Sequence, residues 1–157
     1  MLFRNIIGQE KVKERLVRSI HEARISHAQL FFGEESSGAL PLAMSYAQML
    51  LCTNKQKADS CGQCSSCIKS EKLVHPDIHF VYPIALQKDV RISTHAVTEW
   101  RTAVLENPYL SLSDWFVHLS AENKQPVIGV EESAEILRKL QLTTYEGEFK
   151  VMIIWLP

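Results

Sequence analysis

Gly33-Glu34-Glu35-Ser36-Ser37-Gly38-Ala39-Leu40 is the stretch on which the fold turns. A short apolar run, His27 to Phe32 (HAQLFF), leads into it, and a helical pattern from about Gly38 to Leu51 leads out. Strand, glycine loop and helix in that order are the layout of the Walker A pattern G-x-x-x-x-G-K-[ST]. There backbone N–H groups cradle phosphates, the Lys places charge on them and the hydroxyl holds Mg²⁺. Both glycines are present, but Ala39 and Leu40 stand where Lys and Ser/Thr are required. Pro41 removes a further N–H from the first helical turn, and Glu34 and Glu35 set negative charge where a polyanion would sit. The octapeptide alone also suits a plain strand-to-helix turn. As a phosphate loop it keeps the frame without the chemistry.

Working outward, Val12, Leu16, Val17, Ile20 and Ala23 recur at helical spacing and predict an amphipathic helix over Glu10 to Arg24. Asp77 to Tyr82 (DIHFVY), bounded by Pro76 and Pro83, predicts a strand. With His27–Phe32 it would close a βαβ unit, whose crossover favours parallel pairing. Between Ala85 and Gln125 two helices are expected, Thr94 to Glu106 and Ser113 to Ala121, parted by Asn107-Pro108. This segment is read as an insertion. Its Trp100, Tyr109, Trp115 and Phe116 suit either a partner surface or a helical pair folded over the sheet edge, the second being the expectation. A helix from Val130 to Leu142 carries Ile136, Leu137 and Leu140, and after Thr143-Thr144-Tyr145-Glu146-Gly147-Glu148 the run Lys150 to Trp155 predicts a fully buried third strand. ATPases of this layout end such a strand in Asp-Glu, for Mg²⁺ and the attacking water; here Trp155, Leu156 and Pro157 follow. Two catalytic stations are therefore missing together.

Cys52, Cys61, Cys64 and Cys67 have the spacing C-x8-C-x2-C-x2-C, with Gly62, Ser65 and Ser66 allowing tight turns between ligands. Four thiolates suit closed, tetrahedral, structural Zn²⁺, whereas catalytic zinc needs an open position. Unligated cysteines and a redox CxxC are the blander alternatives. A ferredoxin-type cluster is rejected because Glu71 and Lys72 replace the fourth Cys and its Pro. His75 can stand in as a ligand if Cys52 points away, although His75-Pro76-Asp77 reads more simply as a loop entering a strand. Lys55, Lys57, Lys69 and Lys72 flank the window but alternate with Asp59 and Glu71, the pattern of a solvated face.

The chain has 157 residues, 46% of them hydrophobic, enough for one domain with a sizeable core. A formal charge of -1 gives no footprint of a dedicated nucleic-acid or membrane binder. No signal-peptide pattern or membrane-length apolar run is present, so a cytoplasmic location without a membrane partner is expected.

Several short motifs then fall in order: Ile6-Ile7-Gly8-Gln9, Ser26-His27-Ala28, the degenerate glycine loop, the cysteine window, His75-Pro76-Asp77, and Tyr145-Glu146-Gly147 with Lys150-Val151. Together they resemble the AAA+ clamp-loader subunits, gamma/tau and delta-prime, of bacterial DNA polymerase III, over Phe3 to about Pro83 and from Ile128 onward. Gamma/tau subunits keep both Walker motifs. Delta-prime subunits lack them, and Ala39, Leu40, Trp155 and Leu156 put the resemblance on that side. It implies an AAA+ parallel sheet flanked by helices, with a zinc module at 52–67 and a helical insertion at about 85–125. Such a sheet takes further strands and a lid after the Walker B strand, so residues 1–157 are expected to form a partial domain, cut short with an apolar sheet edge. The implied function is a non-hydrolysing stator of the clamp loader. Zinc is its expected cofactor and ATP is not. Gamma/tau and delta are its implied partners, with the sliding clamp and primed DNA reached through the complex. The arginine finger of the family lies downstream. An active ATPase of gamma/tau type and a zinc-ribbon nucleic-acid binder are the competing readings.

Overall fold

The computed structural model describes residues 1–121 and 124–157; positions 122 and 123 of the expected insertion lie outside the described residues. Its helices are α1 (Glu10–His21), α2 (Ala39–Leu51), α3 (Ser65–Glu71), α4 (Val97–Glu106), α5 (Leu112–His118) and α6 (Val130–Gln141). The strands are β1 (Ile78–Val81) and β2 (Val151–Ile154), and 3-10 turns occupy Phe3–Asn5 and Ser93–Ala96.

Helix α2 is the centre of the molecule because its sequence is apolar nearly all round, the signature of a helix covered on every side. Leu42, Tyr46, Met49 and Leu50 face Phe3 and Ile6 of the N-terminal segment and Leu16, Val17 and Ile20 of α1. Leu40, Met44, Ala47 and Leu51, spaced by three and four, form the opposite stripe and meet Ile78, Ile153, Trp100 and Trp115. The predicted helices are thus found, α1 ending at His21 and α6 at Gln141.

The aromatic residues of the 85–125 segment divide by position. Trp100 and Trp115 are fully buried. Tyr82 stacks on Trp100 with ring centroids 4.1 Å apart, and Trp115 meets both rings edge-on. The Trp115 indole donates to the Pro83 carbonyl and the Tyr82 hydroxyl donates to the Ser93 carbonyl, whereas the buried Trp100 indole N–H has no hydrogen-bond partner. Helix α5 starts at a capping box made by Ser111 and Asp114.

The sheet departs from expectation in three respects. The predicted first strand, His27–Phe32, is extended in part but belongs to no ladder among the described residues. It retains the alternation of a strand, since Phe31 packs toward Tyr46 while Leu30 and Phe32 are 84% and 94% exposed. It lacks a hydrogen-bonding neighbour: an open groove of about 830 Å³ lies between it and β2. The parallel pair is instead β1 with β2, in the register Ile78↔Val151 to Val81↔Ile154, so the crossover runs through α4, α5 and α6. Finally, β2 is not fully buried; Ile153 points into the core while Ile154 is exposed. With β1 on one edge and the groove on the other, β2 has only half of the cover its apolar sequence anticipates.

Candidate metal centre and glycine loop

The two candidate sites sit at opposite ends of α2. At its C-terminal end the chain turns at Cys52 and brings all four cysteine sulfurs within 4.8 Å of one another. Cys52 Sγ lies 3.6 Å from Cys61 Sγ and 4.0 Å from Cys64 Sγ, and Cys61 Sγ lies 3.9 Å from Cys67 Sγ. Metal–sulfur bonds of about 2.3 Å in a tetrahedron require sulfurs about 3.8 Å apart. The arrangement therefore fits a four-thiolate Zn²⁺ centre, and the spacings are far from the ~2 Å of a disulfide.

The backbone is shaped for thiolates. Asn54 and Cys61 N–H groups point at Cys52 Sγ, and those of Gln63 and Cys64 point at Cys61 Sγ. The last two donors hold the Cys61 thiol below its ordinary range. Burial works against ionisation of Cys64, but hydrogen bonds from Thr53 and the backbone outweigh it and bring the thiol to about 6. Burial pushes the Cys52 and Cys67 thiols up. Four thiols gathered at this spacing, two of them eased toward ionisation by hydrogen-bond donors, are a donor set that could hold a metal ion. Glycine suits position 62 because its φ of 73° lies in the left-handed region.

The loop is tied into the fold on two sides. Asp59, almost buried, accepts the N–H groups of Phe3, Arg4 and Ser60 and pairs with the Arg4 guanidinium, which clamps the N-terminal segment. Gln48 of α2 donates to Ser60 Oγ and accepts from the Met1 amine. On the other side, α3 begins immediately after Cys64 and carries Cys67, Ser66 and Lys69.

His75 is not part of the sulfur cluster. Its ring is buried, with Nδ1 accepting the Asp77 N–H and Nε2 3.0 Å from Ser66 Oγ and 3.3 Å from Glu146 Oε1. Because Nδ1 is an acceptor, the proton of the neutral ring sits on Nε2, and the ring cannot take a proton from Ser66. A serine–histidine–acid nucleophile is thereby excluded. Burial lowers the His75 pKa, against the pull of Glu146 and Asp77. The Asp77 carboxylate accepts three consecutive amides, those of Tyr145, Glu146 and Gly147. Burial opposes its charge, yet these donors hold its pKa below the ordinary value. Gly147 leaves the room that this approach needs, since a Cβ would lie 2.6 Å from Leu51.

At the N-terminal end of α2 the glycine loop runs from Gly33 to Gly38, whose φ of 101° turns the chain into the helix. Leu40 and Pro41 are buried, so neither side chain reaches into the loop. Glu35 accepts the Leu112 N–H and Gln9 donates to the Ser37 carbonyl, fastening the loop to α5 and to the start of α1. Trp155 packs on Trp100 with centroids 5.4 Å apart, and the two positions directly after β2 are Trp155 and Leu156. Of the residues flagged in the sequence, the structure unites Cys52, Cys61, Cys64 and Cys67 and keeps Gly33, Gly38, Ala39 and Leu40 in one separate turn. His75, Asp77 and Glu146 fell in motifs flagged in the sequence, but the contacts they make, and the role of Asp59, were not predicted there.

Geometry of this kind defines a helix-flanked α/β unit in which a four-cysteine cluster that could hold a metal ion follows the central helix. The chain belongs to the family described as DNA polymerase III, delta subunit, whose model matches residues 8–156, and is a clamp-loader family member. It is 37% identical over 78 residues to DNA polymerase III subunit delta' of Bacillus subtilis, a stretch covering 50% of this chain and 23% of that protein. Subunit delta' of Pseudomonas aeruginosa is 33% identical over 70 residues, 45% of this chain and 21% of the relative. Subunit gamma/tau of Mycobacterium tuberculosis is 36% identical over 66 residues, 42% and 11% respectively. The matched stretches thus span under a quarter of the lengths of these relatives. No helix among the described residues is long and apolar enough to cross a membrane.

Proposed function

We propose that this chain serves as a non-hydrolysing scaffold subunit of the DNA polymerase III clamp loader, a stator of delta-prime type, with a structural zinc in the four-cysteine loop. The observation that carries the reading is the content of the glycine loop. An AAA+ phosphate site needs an ammonium and a hydroxyl at the start of the helix and two carboxylates after the Walker B strand. Here those positions hold Ala39 and Leu40, and Trp155 and Leu156. Leu40 is committed to the core and Trp155 packs on Trp100, so no small rotation supplies the missing groups.

Four thiolates give zinc a closed shell, and in such a site the metal supplies shape by cross-linking chain segments. Cys52 ends α2, Cys61 and Cys64 hold the loop, and Cys67 anchors α3. In this reading the partners are gamma/tau and delta in the cytoplasm, and the sliding clamp and primed DNA are met through the assembled complex.

The relatives of gamma/tau type make an active ATPase the alternative to exclude. The test is nucleotide affinity and turnover of the full-length protein with Mg²⁺, beside its co-purification with gamma/tau and delta. Assembly without intrinsic turnover is expected. Turnover that persists after removal of contaminating ATPases overturns the scaffold reading, and failure to join the complex overturns the clamp-loader role.

A further inference from the structure

Helix α3 carries a metal ligand on one side and two contacts to a remote turn on the other. Cys67 faces the sulfur cluster. Ser66 Oγ meets the buried His75, and Lys69 pairs with the Glu146 carboxylate. Glu146 also meets His75 Nε2 and lies in the turn Tyr145-Glu146-Gly147, whose three amides are held by Asp77. That turn comes just before β2, and the Val151 N–H donates to the Asp77 carbonyl, so one residue fixes both the turn and the first rung of the sheet. The contacts join residues 66–69 to residue 146, nearly eighty positions along the chain.

Alone, α3 is too short to hold its position: a seven-residue helix does not form stably in water. Its place is set by its packing on α2, with Cys64 before its first turn and Cys67 within it tying it to the sulfur cluster. Moving these cysteines carries Ser66 and Lys69 along, because a helix is rigid over one turn. The path from the cluster to the turn is a continuous set of contacts among ordered side chains, not mere proximity.

We propose that the metal centre governs the order of the 145–147 turn, and through it the entry into β2, by way of Ser66–His75–Glu146 and Lys69–Glu146. The inference rests on the zinc reading given above. With metal bound, α3 is fixed and both contacts persist. Without it, α3 loosens, Glu146 loses Lys69 and His75 loses Ser66, so the turn keeps only Asp77 and a less firmly held His75.

Hydrogen exchange of the full-length protein under reducing conditions tests this, comparing zinc-loaded and chelator-treated samples. Tyr145, Glu146 and Gly147 amides should exchange on the order of tenfold faster after chelation, while Val17 of α1 and Ala47 of α2 keep their protection. The double variant Ser66→Ala, Lys69→Ala retains all four cysteines. It should bind zinc with unchanged stoichiometry, show the faster turn exchange already when loaded, and respond no further to chelation. Lys69→Arg in the wild-type background should preserve the response. Slow turn exchange after complete metal removal overturns the coupling, as does a double variant that still responds. Loss of protection everywhere in step also overturns it, in favour of a global role for the metal. Absence of zinc uptake by the wild-type chain sinks the metal reading itself, and is told apart from the other outcomes by metal analysis.

Discussion

The two ends of α2 carry two loops with opposite histories. The loop before the helix, Gly33 to Gly38, has the two glycines of a phosphate-loop pattern, with Ala39 and Leu40 where that pattern takes Lys and Ser/Thr. The segment after it, Cys52 to Cys67, brings together four thiols that could hold a metal ion, and its backbone amides are already aimed at two of the sulfurs. The first is fastened by exposed contacts, Glu35 to the Leu112 amide and Gln9 to the Ser37 carbonyl. The second is bound by a nearly buried carboxylate and by core residues of α2. A frame can persist by packing alone, because Leu40 and Pro41 give the first turn of α2 a reason to stay. A metal loop with few apolar residues has no such reserve and depends on its ligands.

Removing the metal should therefore separate the two loops most widely. Cys61→Ser, or chelation under reducing conditions, is expected to lower unfolding stability by at least ~3 kcal/mol, the order associated with losing a structural metal. Denaturant titration with and without added zinc measures it. Glu35→Gln, at the other end of the helix, should cost under ~1 kcal/mol because its partners are exposed. Equal costs would erase the contrast. Next in size is Asp59→Ala, which leaves three backbone donors without their acceptor. About 2 kcal/mol is expected, with increased proteolysis near the N-terminus as the local readout.

The contrast also explains what sequence could reveal. Helix α1 is legible because amphipathic spacing records its burial, α2 because it is apolar nearly all round, and α6 by its period although Leu137 and Leu140 stay exposed; the cysteine window is legible because tetrahedral ligation needs four donors at short spacing. The His27–Phe32 run misleads for a physical reason: its residues alternate as a strand requires, but a ladder takes a neighbour, and propensity says nothing about whether one is present. Trp100 and Trp115 left core and partner surface open in sequence, and only the packing around Tyr82 decides. Asp59, His75 and Asp77 were invisible in role. Asp59 and Asp77 accept amides from residues far along the chain and His75 bridges Ser66 and Glu146, and a lone Asp or His has no periodicity to betray such a role.

Acid should loosen the metal side of the molecule before the glycine side. The folded pKa of His75 is depressed below its ordinary 6.5 by burial, so its contribution is full above that value and is lost as pH falls through the folded pKa. Asp77, also depressed, adds its own loss only below about 3.8. The melting-temperature difference between wild type and His75→Gln should therefore narrow on going from pH 7.5 to pH 5. Thiolate protonation acts on both proteins alike and cancels in the comparison. A difference that is constant or widens shows that the neutral ring contributes nothing beyond its shape.

The smallest effect is expected from trying to restore the first loop. Ala39→Lys returns the residue type that a phosphate site needs, at the first position of α2. If one missing ammonium were all that separated this loop from a nucleotide site, binding should appear. It should not, because Leu40 still occupies the hydroxyl position within the core, Pro41 still lacks its N–H, and Glu34 and Glu35 still repel a polyanion. The stability change should be about half a kcal/mol, the cost of a cation at a helix N-terminus. Titration of the full-length variant with a fluorescent ATP analogue and Mg²⁺ measures the first quantity and thermal unfolding the second. Tight, Mg²⁺-dependent binding would mean that the frame, and not the set of side chains, limits the chemistry at this end of α2.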